Sequence, residues 1–221
     1  FESPDSQAFS IAGTRHHGLL EKSALDSSSQ MTEIDLEYNG ITGTADLYDI
    51  ERKMLVDYKM SGSYKIAKAL GIQVRHSFHH TEVYKTSGRH GKKGTPRRVK
   101  EFYIDKDKAD LEDWGWQLNF YRYLLEKQKG LEVNSMYIQA TVRDGGLQVA
   151  TSRGVDRNIY MIEVPFINNE HLEYKFNNKK DELLKALESK ELPNKCTDSE
   201  TWNGIKCKSY CSVRDVCPYV N

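Results

Sequence analysis

Between residues 32 and 59 the chain offers three strand-like runs with almost no room between them. Asn39-Gly40 separates the first two, residues 32–38 and 41–50. Both turn residues tolerate positive φ, which a two-residue hairpin requires. A third run, residues 53–59, follows the turn at Glu51-Arg52. The sequence therefore predicts a three-stranded antiparallel meander, and the rest of the chain must pack around it.

The remaining pattern alternates between helix and strand. A helix is expected over about 13–26, with Leu19, Leu20 and Leu25 as its apolar positions. Residues 1–12 are polar and are expected to fray, and the Ser-rich 27–32 reads as a loop. A short helix over 61–70 should end at Gly71. The best helical signal spans 110–127, where Trp114, Gln117, Leu118, Tyr121, Leu124 and Leu125 share one face of a 3.6-residue period. Strands are expected at 101–104, 135–142 and 158–164. A last helix over about 169–189 carries Leu183, Leu184 and Leu187, and Pro193 closes it. This order predicts an α/β fold: a mixed central β-sheet flanked by helices. Residues 1–193 are read as the core, and 194–221 as a small cysteine-rich tail.

Composition narrows the classes. In 221 residues, 38% are hydrophobic, enough for a real core. Formal net charge is zero, so any affinity for nucleic acid must come from a local patch. No apolar run approaches the roughly 18 residues of a membrane span. No secretory signal is read and Phe1 reads as a trimmed start, so the expected location is the cytoplasm.

Asp46, then ten residues, then Asp57-Tyr58-Lys59 carries the chemistry. Side chains i and i+2 of a strand share a face, so Asp57 and Lys59 point the same way. The hairpin can bring Asp46 alongside from the neighbouring strand. Two carboxylates and an amine at one spot suit phosphodiester hydrolysis. The oxygens hold Mg²⁺ or Mn²⁺, with the Tyr58 carbonyl as a candidate extra ligand. The cation polarises the phosphate and acidifies a water, and the lysine orients that water. Taken alone, an Asp-x-Lys strand pair is usually a surface ion pair worth under about 1 kcal/mol. Leu55-Val56 lead into this one, however, as if the strand ran into the core.

Four strings agree in order with one superfamily. They are GTRHHGLLE (13–21), GTAD (43–46), VDYK (56–59) and QLNFY (117–121). The chain resembles the PD-(D/E)xK nucleases, specifically the RecB-type exonuclease branch, over roughly residues 10–217. The resemblance implies a restriction-endonuclease-like core and a divalent-metal-dependent deoxyribonuclease. It maps a metal-binding histidine onto His17, the acidic ligands onto Asp46 and Asp57, and the catalytic lysine onto Lys59. Gln117 and Tyr121 map onto the family's Q-x-x-x-Y motif beside the site, where they contact the DNA strand. Glu21, one turn beyond His17, is a further candidate. The blander reading makes the histidines exposed helix residues and Gln117 with Tyr121 half-buried packing.

Residues 75–100 differ in kind. They hold eight Lys/Arg, four His and a single acid, Glu82, punctuated by Gly and Pro. We read them as a basic insertion, a hairpin leaving the body of the fold. Arg89, Lys92, Lys93, Arg97, Arg98 and Lys100 are its candidate phosphate contacts. Phe78, Tyr84 and Tyr103 are candidates to stack on bases of a single strand. The plain alternative is a solvated loop.

Cys196, Cys207, Cys211 and Cys217 stand within 22 residues, and no cysteine occurs elsewhere. In a cytosolic protein such a group reads as metal ligation before disulfides. Four thiolates suit either zinc or a [4Fe–4S] cluster. AddB-like and CRISPR-associated relatives carry an Fe–S cluster whose pattern ends C-x2-C-x5-C-Pro. Here Cys211, Cys217 and Pro218 fit that ending with one extra residue before Cys211. A [4Fe–4S] cluster is therefore the first expectation and zinc the second. In those relatives the first cysteine lies near the N-terminus, whereas here all four are C-terminal.

The expected function is hydrolysis of single-stranded DNA or DNA ends by an exonuclease acting in recombination or repair. Phage recombination, repair and CRISPR adaptation all employ such relatives, so recombination or repair proteins are the expected partners. The alternative is a DNA-binding module of the same fold without chemistry. A third reading makes the tail an interaction element.

Overall fold

The Asn39-Gly40 turn closes a two-residue hairpin, with φ of 52° and 75° at its two residues. In the computed structural model, which describes residues 4–24, 28–192 and 194–220, this turn joins β1 (Gln30–Tyr38) to β2 (Ile41–Asp49). The pair is antiparallel from Tyr38↔Ile41 to Gln30↔Asp49. Both central residues are left-handed, as a type I′ turn demands. A second tight turn leads to β3 (Met54–Ser61). Buried Asp49 fastens it by accepting from Arg52 N at 2.9 Å and Arg52 Nη1 at 2.7 Å.

The meander forms one side of a five-stranded sheet in the order β1-β2-β3-β6-β7. Here β6 is Ser135–Val142 and β7 is Ile159–Glu163. β3 runs parallel to β6 along its whole length, and β7 closes the far edge antiparallel. The sheet is mixed, with helices packed against it. Helix α1 (Pro4–Ala24) and helix α3 (Glu112–Lys129) both pack on the meander. β6 alternates, with Met136, Ile138, Ala140 and Val142 buried. Ile34, Leu36, Leu55, Leu118, Leu124 and Leu125 join them in the core.

Helix α1 starts earlier than its apolar spacing suggests, since residues 4–12 are helical rather than frayed. Pro4 opens it, where a fixed φ suits the first turn and the missing N–H has no helical partner to lose. Leu25 and Pro193 lie outside the described residues. On α3, Trp114, Leu118, Leu124 and Leu125 are buried, as the periodicity requires. The same helix also buries Asn119 and Arg122. Asn119 donates to Pro165 O and accepts from Ile167 N, while Arg122 donates to Ile167 O. These bonds clip the segment after β7 onto α3.

The basic insertion folds as a separate two-stranded antiparallel sheet, β4 (Ile72–Val83) and β5 (Pro96–Ile104). Helix α2 (Ser63–Ala69) leads into it. At its base Gly71 has φ +68°, and Asp105 N donates to Gly71 O at 3.0 Å. A Cβ on Gly71 would overlap the Asp105 carbonyl. The short helix α4 (Gln148–Thr151) and the turn after it form a second support, where Gly154 lets the ring of Phe102 approach.

The chain divides into two compact units, Phe1–Ile167 and Asn168–Asn221. Helix α5 (Asn169–Ser189) has the bounds read from sequence, yet it belongs with the cysteine tail. Lys179 on α5 pairs with Glu200 at 3.3 Å, and Glu200 in turn accepts from Thr197 N at 2.8 Å. Leu183, Leu184 and Leu187 on this helix are exposed. The division between the two units falls at 167/168. A short helix in the tail, α6 (Ile205–Ser209), was not anticipated from the sequence.

Gly71→Ala should combine a left-handed strain of roughly 1–3 kcal/mol with a backbone clash. Urea unfolding is expected to show destabilisation of at least about 2 kcal/mol, whereas Gly40→Asn in the I′ turn should cost under about 1 kcal/mol.

Candidate metal and catalytic site

β2 and β3 pair only from Asp49↔Met54 to Leu47↔Val56. Beyond that rung the ladder stops, and a side chain takes over. Asp46 Oδ2 accepts the Tyr58 N–H at 2.6 Å. Asp46 is thus held beside Asp57 and Lys59 from the neighbouring strand, as the meander predicts. Asp57 is 1% exposed, and Lys59 Nζ lies 2.7 Å from its Oδ2. That distance is the length of a charge-assisted contact, and the lysine is the one cation held against this buried oxygen.

Helix α1 supplies the histidines. His17 Nδ1 is 3.6 Å from Asp46 Oδ2, and its ring meets Tyr58 edge-on at 5.9 Å. His16 is not a solvent-facing neighbour: its Nε2 lies 2.8 Å from Thr141 Oγ1 on β6, which anchors α1 to the sheet. Burial and the adjacent His17 lower its pKa. Leu20, one turn on, packs against Leu47, Val56 and Tyr58. A third group joins His17 and Asp46, and it is Glu33 rather than Glu21. The ligand atoms of His17, Glu33 and Asp46 all lie within 4.8 Å of one another. No motif marks Glu33, which sits in an ordinary strand pattern; only the register of the hairpin places it opposite Asp46.

That register also breaks the alternation of the strands. Gly43 faces Tyr121 of α3, whose Cε1 would lie 2.8 Å from an added Cβ. Leu47 has the same parity as Gly43 but packs toward Leu20 of α1. On a regular strand such residues share a face. The meander therefore changes faces at the Glu33–Asp46 rung, where β1 and β2 lack a regular pairing and Glu33 has φ 45°.

Gln117 and Tyr121 are half-buried on α3, and Gln117 Nε2 donates to Tyr121 Oη at 2.7 Å. Gly43 of the GTAD string is the residue that lets Tyr121 approach the meander.

The electrostatics follow from burial. Desolvation raises the Asp46 carboxyl; the Tyr58 N–H, His17 and Lys59 oppose it. Asp57 is pushed up to about 6, first by burial; Lys59 opposes this and the charge of Asp46 adds to it. Both acids gain if a cation neutralises them. Among the described residues the ligand atoms of His17, Glu33 and Asp46 are the set that suits a hard or borderline divalent ion; Asp57 lies outside that set and is held by Lys59.

The hairpin divides its basic residues in two. Arg97 pairs with Glu82 at 2.9 Å and Arg75 with Glu101 at 2.9 Å. Lys100 donates to the Ser152 carbonyl and lies 4.6 Å over Phe102. Arg97 and Lys100 are thus partly committed within the fold. The side chains of Arg89, Lys92, Lys93 and Arg98 have no hydrogen-bond or ion-pair partner among the described residues. Phe78 and Tyr84 line a cleft of about 480 Å³ with His76, His90 and Arg98. Tyr103 lies outside that cleft, beside Arg75.

The four cysteines are free thiols; Cys196 is exposed, and Cys207, Cys211 and Cys217 are half-exposed. No three of their sulfurs come within 4.8 Å of one another. A zinc tetrahedron at 2.3 Å needs sulfurs about 3.8 Å apart, so no closed zinc cage is preformed.

The sequence matches no family model and no curated protein. A solved structure titled "Crystal structure of SSO0001" is similar over 97% of this chain and 72% of its own, at 16% identity and a TM-score of 0.47. Among the described residues no helix is long and apolar enough to cross a membrane.

Folded Asp57 keeps its proton to about pH 6, whereas the unfolded chain ionises near pH 4. Between those values the folded state binds more protons. The metal-free protein should therefore lose stability as pH rises from about 4 to about 6. In EDTA, Asp57→Asn is expected to flatten that slope and to raise stability at pH 7. Urea unfolding at pH 4.5 and 7 checks this, and an unchanged slope rules out Asp57 as its source.

Proposed function

We propose that this chain is a divalent-metal-dependent deoxyribonuclease of the PD-(D/E)xK type, acting on single-stranded DNA or DNA ends. The observation that carries the reading is the buried Asp57 carboxylate, paired with Lys59 at 2.7 Å and neighboured by buried Asp46 from the next strand. A structural ion pair does not require two buried carboxylates against one ammonium; a cation site does. Asp46, Asp57 and His17 are the ligands on this reading, with the Tyr58 carbonyl as a further one. Bound there, Mg²⁺ or Mn²⁺ would polarise the phosphate and acidify a water for in-line attack. Lys59 orients that water and offsets charge developing on the phosphate. Gln117 and Tyr121, linked to each other, position the strand. Arg89, Lys92, Lys93 and Arg98 offer free cations for the backbone, with Phe78 and Tyr84 available for stacking. Exonuclease action and a role in recombination or repair, alongside partner proteins, extend the same reading.

Lys59→Ala tests the mechanism. Cleavage of single-stranded DNA in Mg²⁺ or Mn²⁺ should fall by about 10²–10⁴-fold, with DNA binding retained. Cleavage that survives the change overturns the assignment. A wild type that binds single strands without cutting them would instead favour a DNA-binding module lacking chemistry.

For the tail we propose a [4Fe–4S] cluster on Cys196, Cys207, Cys211 and Cys217, with zinc as the alternative. The ending at Cys211, Cys217 and Pro218, which resembles the cluster-binding pattern, is what puts the cluster first. The ligation would be structural, holding a segment with few buried residues. Anaerobically purified protein should be brown and contain about four irons per chain. Colourless protein with one zinc would overturn the cluster.

A further inference from the structure

We infer that Glu33 is a metal ligand, completing with His17 and Asp46 a second divalent-cation position that shares Asp46 with the one at Asp57. The inference rests on the metal-dependent reading above and adds to it a residue that no motif marks.

Three observations place Glu33 there. The flanking rungs Thr32↔Leu47 and Ile34↔Ala45 set it directly across from Asp46. The rung itself is irregular, so the ligand atoms rather than the pairing show the convergence. Its carboxylate, the His17 ring and the Asp46 carboxylate all have ligand atoms within 4.8 Å of one another. Glu33 itself is exposed, and its carboxylate has no hydrogen-bond or ion-pair partner among the described residues.

Charge supplies the reason. Glu33, Asp46 and Asp57 bring three carboxylates to the site. Lys59 is engaged by Asp57 at 2.7 Å, so it does not serve the Glu33 side. His17 offers at most one positive charge, and only when protonated. Like charges this close repel unless a cation lies between them. Independently, Asp57 is buried with Lys59 as its one cationic contact. A carboxylate short of counter-charge thus stands on both sides of Asp46: buried Asp57, and exposed Glu33, which has no cationic side chain against it among the described residues. One cation between Asp46 and Asp57, and another among Asp46, Glu33 and His17, would complete both. A paired arrangement of this kind flanks attacking and leaving oxygens in two-metal hydrolysis. The imidazole in the outer set selects Mn²⁺ over Ca²⁺, because nitrogen suits softer ions.

The test is Mn²⁺ binding to the full chain without DNA, read by loss of the free-ion electron paramagnetic resonance signal. Wild type is expected to bind two Mn²⁺ per chain. Glu33→Gln should keep one and weaken the other at least tenfold, while Asp46→Asn should weaken both. Glu33→Asp should fall between Glu33→Gln and wild type. In EDTA, Glu33→Gln should melt no lower than wild type, because it removes one of the repelling charges, and this separates ligand loss from misfolding. If Glu33→Gln binds Mn²⁺ as wild type does, Glu33 is not a ligand, and loss in Asp46→Asn would still leave the nuclease reading standing. A wild type that binds one Mn²⁺ overturns the second position alone. A wild type that binds none overturns both readings.

Discussion

The hydrogen bond from Tyr58 N to the Asp46 carboxylate is the hinge of this structure. Below it β2 and β3 pair through main-chain groups; at it, pairing passes to a side chain. Above it β3 stays with β6, and β2 stays with β1. The carboxylate keeps two diverging strands in register for one more rung. It also holds the Asp46 charge near buried Asp57, whose carboxyl that charge pushes up. Fold and site therefore share one bond, and neither can be altered without the other.

The cost of that design is electrostatic. Burying Asp57 with a single ammonium partner, and near the charge of Asp46, pushes the carboxyl up to about 6. Buried ion pairs of incomplete geometry contribute little to stability. Helix α1 is nonetheless fastened over this strained region, by His16 to Thr141 and by Leu20 to the Leu47–Val56–Tyr58 cluster. Apolar packing and one imidazole contact hold the helix against the strands that carry the acids.

Much of this was legible in the residues. Asn39-Gly40 announced its turn because few dipeptides accept two left-handed residues in a row. The periodicity of α3 announced its buried face, and the bounds of β6 followed from a clean strand run. The convergence of Asp46 with Asp57 and Lys59 followed from hairpin geometry. Three things were not legible. Glu33 gave no signal, because its importance depends on register, which a single strand does not reveal. Asn119 and Arg122 bury polar groups whose partners lie some 45 residues away in sequence. The short helix α6 in the tail gave no periodic signal, because five residues are too few to show one. Propensity and pattern are local, and the first two of these outcomes are not.

The exchange of faces at the Glu33–Asp46 rung carries a consequence for how such a chain can vary. In most hairpins a one-residue insertion flips all residues beyond it and is absorbed only at the turn. Here β1 and β2 reverse face together at one rung, so each strand serves two layers. A single insertion or deletion between Glu33 and Asp46 would move the crossover in one strand and not in the other. Ala45 or Leu47 would then face the wrong helix. Length variation in this meander is thus confined to the tip at Asn39-Gly40, in steps of two, while the β4–β5 arm, which pairs only with itself, is free to lengthen or shorten.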